Sequence, residues 1–209
     1  MFAEKLFRAY LDFVSEKYQH EHEETRIHVH DLVRCKHKSY METIFPEFAS
    51  VASPVLFIGE AVDEFTKLLV TRFKEIFPNL ESTEKEIEKT VEYDDKIITI
   101  VGRPDILLKD AVIEIKYSRL VNEEPLEHHL NQLKLYIFLT GKPRGYLIYF
   151  MPTGIREFIV EEEITEDFVK SLIDSWKSPR YEWECQYCNY RYICPHRVIP
   201  SNQDKSSES

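Results

Sequence analysis

The chain has 209 residues, 43% hydrophobic and 13% aromatic, enough to bury the core of one domain with room for a lobe. Its net charge of -10 excludes a coat-like nucleic-acid binder, because counterion release along a tract needs a continuous basic surface. No stretch reaches the roughly 18 uncharged apolar residues that span a bilayer, so the expectation is a cytoplasmic protein with no membrane attachment.

Apolar residues Phe2, Leu6, Ala9, Tyr10, Phe13, Val14 and Tyr18 recur at helical spacing and predict a first helix ending near Gln19. A second short helix carries Cys35. Ser53-Pro54, an N-cap followed by proline in the first turn, opens a helix whose stripe of Val55, Ile58, Val62, Phe65, Leu69 and Phe73 runs to the break at Pro78. Between Glu86 and Ile115 the period changes. IEKTVEY, KIITIVG and VIEIKYS are short and β-branched, Asp94-Asp95 turns between the first two, and together they predict an antiparallel meander.

Helix returns over Glu123 to Thr140 and stops at Gly141 and Pro143. GYLIYFM and IREFIVE then predict a hairpin across Pro152-Thr153-Gly154, and Ile164 to Trp176 a further helix. The polar end SNQDKSSES has nothing to bury and is expected to be disordered. The order implies an α/β arrangement around one mixed sheet flanked by helices, without internal repeats. It divides into an N-terminal helical segment (1–52), a core (53–177), a cysteine segment (178–198) and a tail (199–209). Acidic runs lie away from the core motifs, while Lys142, Arg144, Arg156, Arg180, Arg191 and Arg197 are candidates for a local basic track.

The chemistry concentrates in Gly102-Arg103-Pro104-Asp105 and, nine residues after Asp105, Glu114-Ile115-Lys116. Residues two apart on a strand share a face, so Glu114 and Lys116 point one way and Ile115 the other. An isolated Glu-x-Lys is usually a solvated cross-strand pair. Here it sits in the apolar run Ala111-Val112-Ile113, where a charged pair needs a reason. Carboxylates converging on one spot call for a divalent cation such as Mg²⁺ or Mn²⁺, which acidifies a water and stabilises charge on a phosphate under attack, with a lysine to orient that water.

These motifs, with Gln132-Leu133-Lys134-Leu135-Tyr136 on the following helix, resemble the G-x-x-D, E-x-K and Q-x-x-x-Y of the RecB-like branch of the PD-(D/E)XK nucleases, which share a restriction-endonuclease-like core. The resemblance implies that Asp105, Glu114 and the Ile115 carbonyl bind metal and that Lys116 is the catalytic lysine. It implies too that Gln132 and Tyr136, one helical turn apart, meet DNA or brace the lysine. It departs from the pattern at Gly59-Glu60-Ala61-Val62-Asp63, where Asp63 stands in the position of a metal-binding histidine. Aspartate still suits a hard cation, so Asp63 is a candidate ligand. His28, His30, His128 and His129 do not replace that histidine on spacing and read as surface or structural residues.

Cys185-x2-Cys188-x5-Cys194 near the C-terminus joins a lone Cys35 about 150 residues earlier. Four thiolates suit tetrahedral zinc or an iron–sulfur cluster, and the absence of paired knuckles favours the cluster. Placed around the nuclease motifs, the cysteines resemble the CRISPR-associated RecB-like nucleases, the fourth core Cas family, from about Cys35 to Pro195. That resemblance implies [4Fe–4S], with [2Fe–2S] also found, in a lobe joining the two ends of the chain. It implies a nuclease acting on single-stranded DNA ends in the 5′-to-3′ direction, with endonuclease activity as a second capacity. The cellular role would be processing spacer precursors beside the CRISPR adaptation integrase proteins, and self-association is compatible with the sequence. The alternatives are a virus-encoded or recombination-linked relative and a non-catalytic, cluster-bearing DNA-binding subunit.

Overall fold

The computed structural model describes residues 25–45, 54–119 and 123–199, together with positions 4, 5, 8–10 and 12. The expected first helix and the polar tail lie largely outside these stretches. β1 (Arg26–His28) leads into the single turn α1 (Val29–Leu32) and α2 (Lys36–Ile44), followed by the long α3 (Pro54–Arg72). Then come β2 (Leu80–Thr83), β3 (Ile87–Tyr93), β4 (Lys96–Gly102), β5 (Ile106–Leu108) and β6 (Val112–Tyr117). The chain continues through α4 (Glu127–Thr140), β7 (Gly145–Met151), β8 (Gly154–Val160), α5 (Glu166–Asp174) and α6 (Glu184–Tyr187). Cys35 is the N-cap residue of α2. None of the described helices is long and apolar enough to cross a membrane.

The strands form two sheets, ordered β1-β4-β3 and β2-β5-β6-β7-β8, rather than one. β3 and β4 pair as expected, with Asp94 and Asp95 both in left-handed backbone (φ 48° and 59°), the two-residue turn that matches strand twist. The expected meander ends there. Pro104 has no N–H to donate to a ladder, so the chain leaves the first sheet after Gly102 and joins the second at β5, an element too short to show a period. β6 pairs antiparallel with β5 and parallel with β7, reached through α4 as a β-α-β crossover. β1 and β2 were not foreseen; β1 adds to β4 in parallel, and β2 edges the larger sheet beside β5.

Alternation on β6 places the site. Ile113 and Ile115 face α3, packing with Val70 and Ile106. Val112, on the alternate face, belongs with Leu133, Ile137 and Leu147 in the main core, to which α4 contributes. Glu114 and Lys116 share the Val112 face by period. α4 ends at Gly141, whose φ of 63° supplies the left-handed stop.

Gly102 explains the glycine of the first motif. A Cβ there would sit 2.6 Å from Leu139 Cδ1 and 2.8 Å from Tyr136 Cε1, so α4 crosses β4 where only glycine leaves room. Gly102→Ala is therefore expected to cost about 1–3 kcal/mol by overpacking. A thermal melt checks this, and an unchanged midpoint would mean that α4 does not press on this strand.

Candidate active site and thiolate pocket

Asp105 stands just before β5, and its Oδ2 accepts a hydrogen bond from the Ile115 N–H of β6 at 2.6 Å. That bond holds the carboxylate beside the Glu114 side chain, which is 2% exposed. Glu114 Oε1 pairs with Lys116 Nζ at 2.5 Å, while Oε2 is buried with no hydrogen-bond partner. An unpaired carboxylate oxygen buried next to a second carboxylate is costly unless a cation completes it. Carboxylate oxygens are the donors that a hard divalent cation takes, and the unpartnered Glu114 Oε2 leaves one available.

The electrostatics agree. Burial, with the Glu114 charge added, pushes the Asp105 carboxyl up to about 7. Glu114 is also raised by burial, against the pull of Lys116. Burial alone would lower the Lys116 ammonium, but Glu114 and Asp105 outweigh it and raise it, so the lysine stays charged.

The cleft around this triad encloses about 410 Å³ and is lined from α3 by Gly59, Glu60 and Asp63 and from α4 by His129, Gln132 and Tyr136. Asp63 thus faces the same cleft as the triad, but its Oδ2 lies 2.6 Å from Lys67 Nζ, which also reaches Glu84 at 2.6 Å. Burial works against the Lys67 charge, yet the Asp63 and Glu84 carboxylates outweigh it and raise its pKa. Lys67 was missed in the sequence, although its place one helical turn after Asp63 was the available signal.

On α4, Gln132 Nε2 donates to the Tyr136 hydroxyl at 3.1 Å. Tyr136 is only 5% exposed and belongs to the main core as well as to the cleft wall. His128, Gln132 and Tyr136 recur every four residues on this helix, so the histidine was readable as part of the same stripe. Burial and the Lys116 charge bring His128 down to about 4, and the same causes hold His129 well below the usual imidazole range. Both shifts favour the neutral ring, and His129 Nδ1 lies 2.8 Å from the Tyr149 hydroxyl. His28 and His30 also line the cleft, and His128 lines the thiolate pocket.

The six candidate basic residues do not form one track. Lys142 pairs with Glu81 and Arg144 with Glu161, while Arg156 lies on β8 opposite Tyr149. Arg191 and Arg197 both stand by the Tyr192 ring, while Arg180 lies by Tyr181.

Cys35, Cys185, Cys188 and Cys194 are all free thiols and line one pocket of about 270 Å³. The two ends of the chain are tied there by hydrogen bonds. Cys35 N–H donates to Glu184 Oε1 (2.8 Å), His37 N–H to Ser178 Oγ (2.8 Å), and Trp176 Nε1 to the Arg34 carbonyl (3.2 Å). Arg34 is itself fixed by Asp31 and Glu42 at 2.6 and 2.5 Å. Burial raises the Cys188 and Cys194 thiols. Four thiols lining one pocket together with Arg191 and Arg197 suit a group held by thiolates.

The sequence pattern of the PD-(D/E)XK nuclease superfamily matches residues 5–195. The CRISPR-associated exonuclease Cas4 of Saccharolobus solfataricus is 31% identical over 198 residues, covering 88% of this chain and 95% of that protein. Among solved structures, the crystal structure of SSO0001 is similar with a TM-score of 0.82 and 33% identity, over 95% of this chain and 98% of that one.

Proposed function

The chain belongs to the PD-(D/E)XK nuclease superfamily, and from that premise we propose that it is a metal-dependent nuclease of the CRISPR-associated RecB-like branch acting on single-stranded DNA. The observation that carries the reading is the buried Glu114 flanked by the half-buried Asp105 and Lys116, all three lining one open cleft. When bound, a divalent cation supplies Lewis-acid charge to the scissile phosphate and acidifies the attacking water. Asp105 and Glu114 would hold it, with the Ile115 carbonyl as an additional donor. Lys116 orients the nucleophile and offsets charge on the phosphate. Gln132, braced by Tyr136, presents its amide to the strand being cut.

Cys35, Cys185, Cys188 and Cys194 would hold an iron–sulfur cluster, [4Fe–4S] in preference to [2Fe–2S], as a clamp between the N- and C-terminal segments. The activity proposed is 5′-to-3′ exonuclease cleavage, with endonuclease cuts on single strands. Its setting is spacer-precursor processing beside the adaptation integrase proteins.

A second reading is favoured by one observation: Lys67 already neutralises Asp63, the residue at the expected metal-histidine position. On that reading the chain is a cluster-bearing subunit that binds DNA without cutting it. Incubation of 5′- and 3′-labelled single strands with the purified protein separates the two. Nucleolytic release with Mn²⁺ that stops in EDTA is expected, and its absence at saturating Mn²⁺ would establish the second reading instead.

A further inference from the structure

We propose that the aromatic side chains of the cysteine segment, Tyr181, Trp183, Tyr187 and Tyr192, form a base-stacking platform for single-stranded DNA that leads to Lys116, an inference that rests on the nuclease reading and gives it a substrate path. Large aromatic side chains default to burial, yet Trp183 is 44% exposed, Tyr187 73% and Tyr192 76%, all within the short cysteine segment. The Tyr181 and Trp183 rings lie nearly parallel, 16° apart with centroids at 5.8 Å, and His128 packs beside Trp183 at 5.1 Å. This is a preformed stack with an outward-facing member. Tyr181 is oriented by its hydroxyl, which donates to Glu127 at 3.3 Å.

Charge selects the occupant. The segment 178–198 carries three arginines against two glutamates, a small positive excess in a chain of net charge -10. Arg191 and Arg197 stand 4.7 and 5.8 Å from the Tyr192 ring centre, and Arg180 5.9 Å from that of Tyr181. Rings interleaved with guanidinium groups match a polyanion whose bases are unpaired; a duplex hides its base faces inside its own stack. A protein partner would need neither the arginines nor the stacked geometry.

Position selects the direction. Trp183 packs on His128 of α4, one helical turn before Gln132, which lines the catalytic cleft with Lys116. A strand stacked on the rings therefore adjoins the catalytic lysine without crossing the protein. Gln132 and His128, one turn apart on α4, mark the junction.

The test measures binding by fluorescence anisotropy in EDTA, where cleavage is silent, with fluorescein-labelled oligothymidine and an abasic strand of equal length. The full chain is used as purified. Trp183→Ala, Tyr187→Ala and Tyr192→Ala are each expected to weaken oligothymidine binding about tenfold, while Trp183→Phe stays within about twofold. The abasic strand should bind wild-type protein as weakly as the alanine variants bind oligothymidine, and no more weakly in Trp183→Ala. Tyr192, the most exposed ring of the set, gives the variant least exposed to folding loss, and circular dichroism melts verify it. Alanine variants that bind oligothymidine as tightly as wild type, or that lose affinity equally for the abasic strand, would overturn the platform. So would unchanged DNA binding combined with a changed sedimentation coefficient, which would make the face a contact between copies. Wild-type cleavage in Mn²⁺ distinguishes the levels: if wild type cuts while the variants bind normally, the platform alone falls, and if it neither cuts nor binds, the nuclease reading falls too.

Discussion

Glu114→Gln is expected to abolish cleavage while leaving the protein folded, because it removes the buried carboxylate whose Oε2 has no protein partner. Lys116→Ala should slow cleavage about 10²- to 10³-fold yet retain Mn²⁺ binding, since it deletes a positioned charge without removing an oxygen donor. Isothermal titration with Mn²⁺ beside the labelled-strand assay separates the two effects. If both variants cut at the wild-type rate, the site lies elsewhere. The pH dependence adds a sign. Asp105 is pushed up to about 7 by burial and Glu114, so Mn²⁺ has to displace a proton, and affinity should rise as pH rises through that value. For the metal-free protein, a carboxyl raised above its unfolded value contributes stability that is present below the ordinary carboxylate range and lost as pH rises through about 7. The metal-free protein should thus melt lower at about pH 8 than at about pH 6, and Glu114→Gln should narrow the difference.

Cys35→Ser is expected to produce the largest loss of stability, together with loss of iron and of the brown absorption near about 400 nm that thiolate-to-iron charge transfer gives. A cross-link from Cys35 to Cys185 closes a loop of about 150 residues, and the chain-entropy estimate for such a closure is about 5 kcal/mol. For a chain of this size that corresponds to a fall of roughly 10–20 °C in the melting midpoint. The hydrogen bonds from Cys35 and His37 to Glu184 and Ser178 persist in the variant, so the two ends should loosen rather than the whole chain unfold. Iron analysis and a thermal melt together check this. Colourless wild-type protein carrying one zinc would overturn the cluster while keeping the clamp.

Local pattern made much of this molecule readable before its structure. The β6 strand, with Glu114 and Lys116 on one face, followed from period-two alternation, and the α4 stripe holding Gln132 and Tyr136 followed from the helical period. The Asp94-Asp95 turn and the Gly141 stop were readable because steric limits on single residues act over two or three positions. The pairing of strands was not. β6 leaves β4 and joins β7 in parallel because Pro104 breaks the first ladder and α4 covers Gly102, decisions made by contacts between residues far apart in the chain. Three-residue strands such as β1 and β5 show no period at all, and only a neighbouring strand makes them strands. The same holds at the site. The sequence named Asp63, Asp105, Glu114 and four cysteines, but Lys67 reaching from Asp63 to Glu84, the unpaired Glu114 oxygen, and Cys35 hydrogen-bonded to Glu184 of the cysteine segment exist only once the chain is packed. Residue type and spacing set which chemistry is available; burial and distance, which depend on the whole fold, set which groups share a charge.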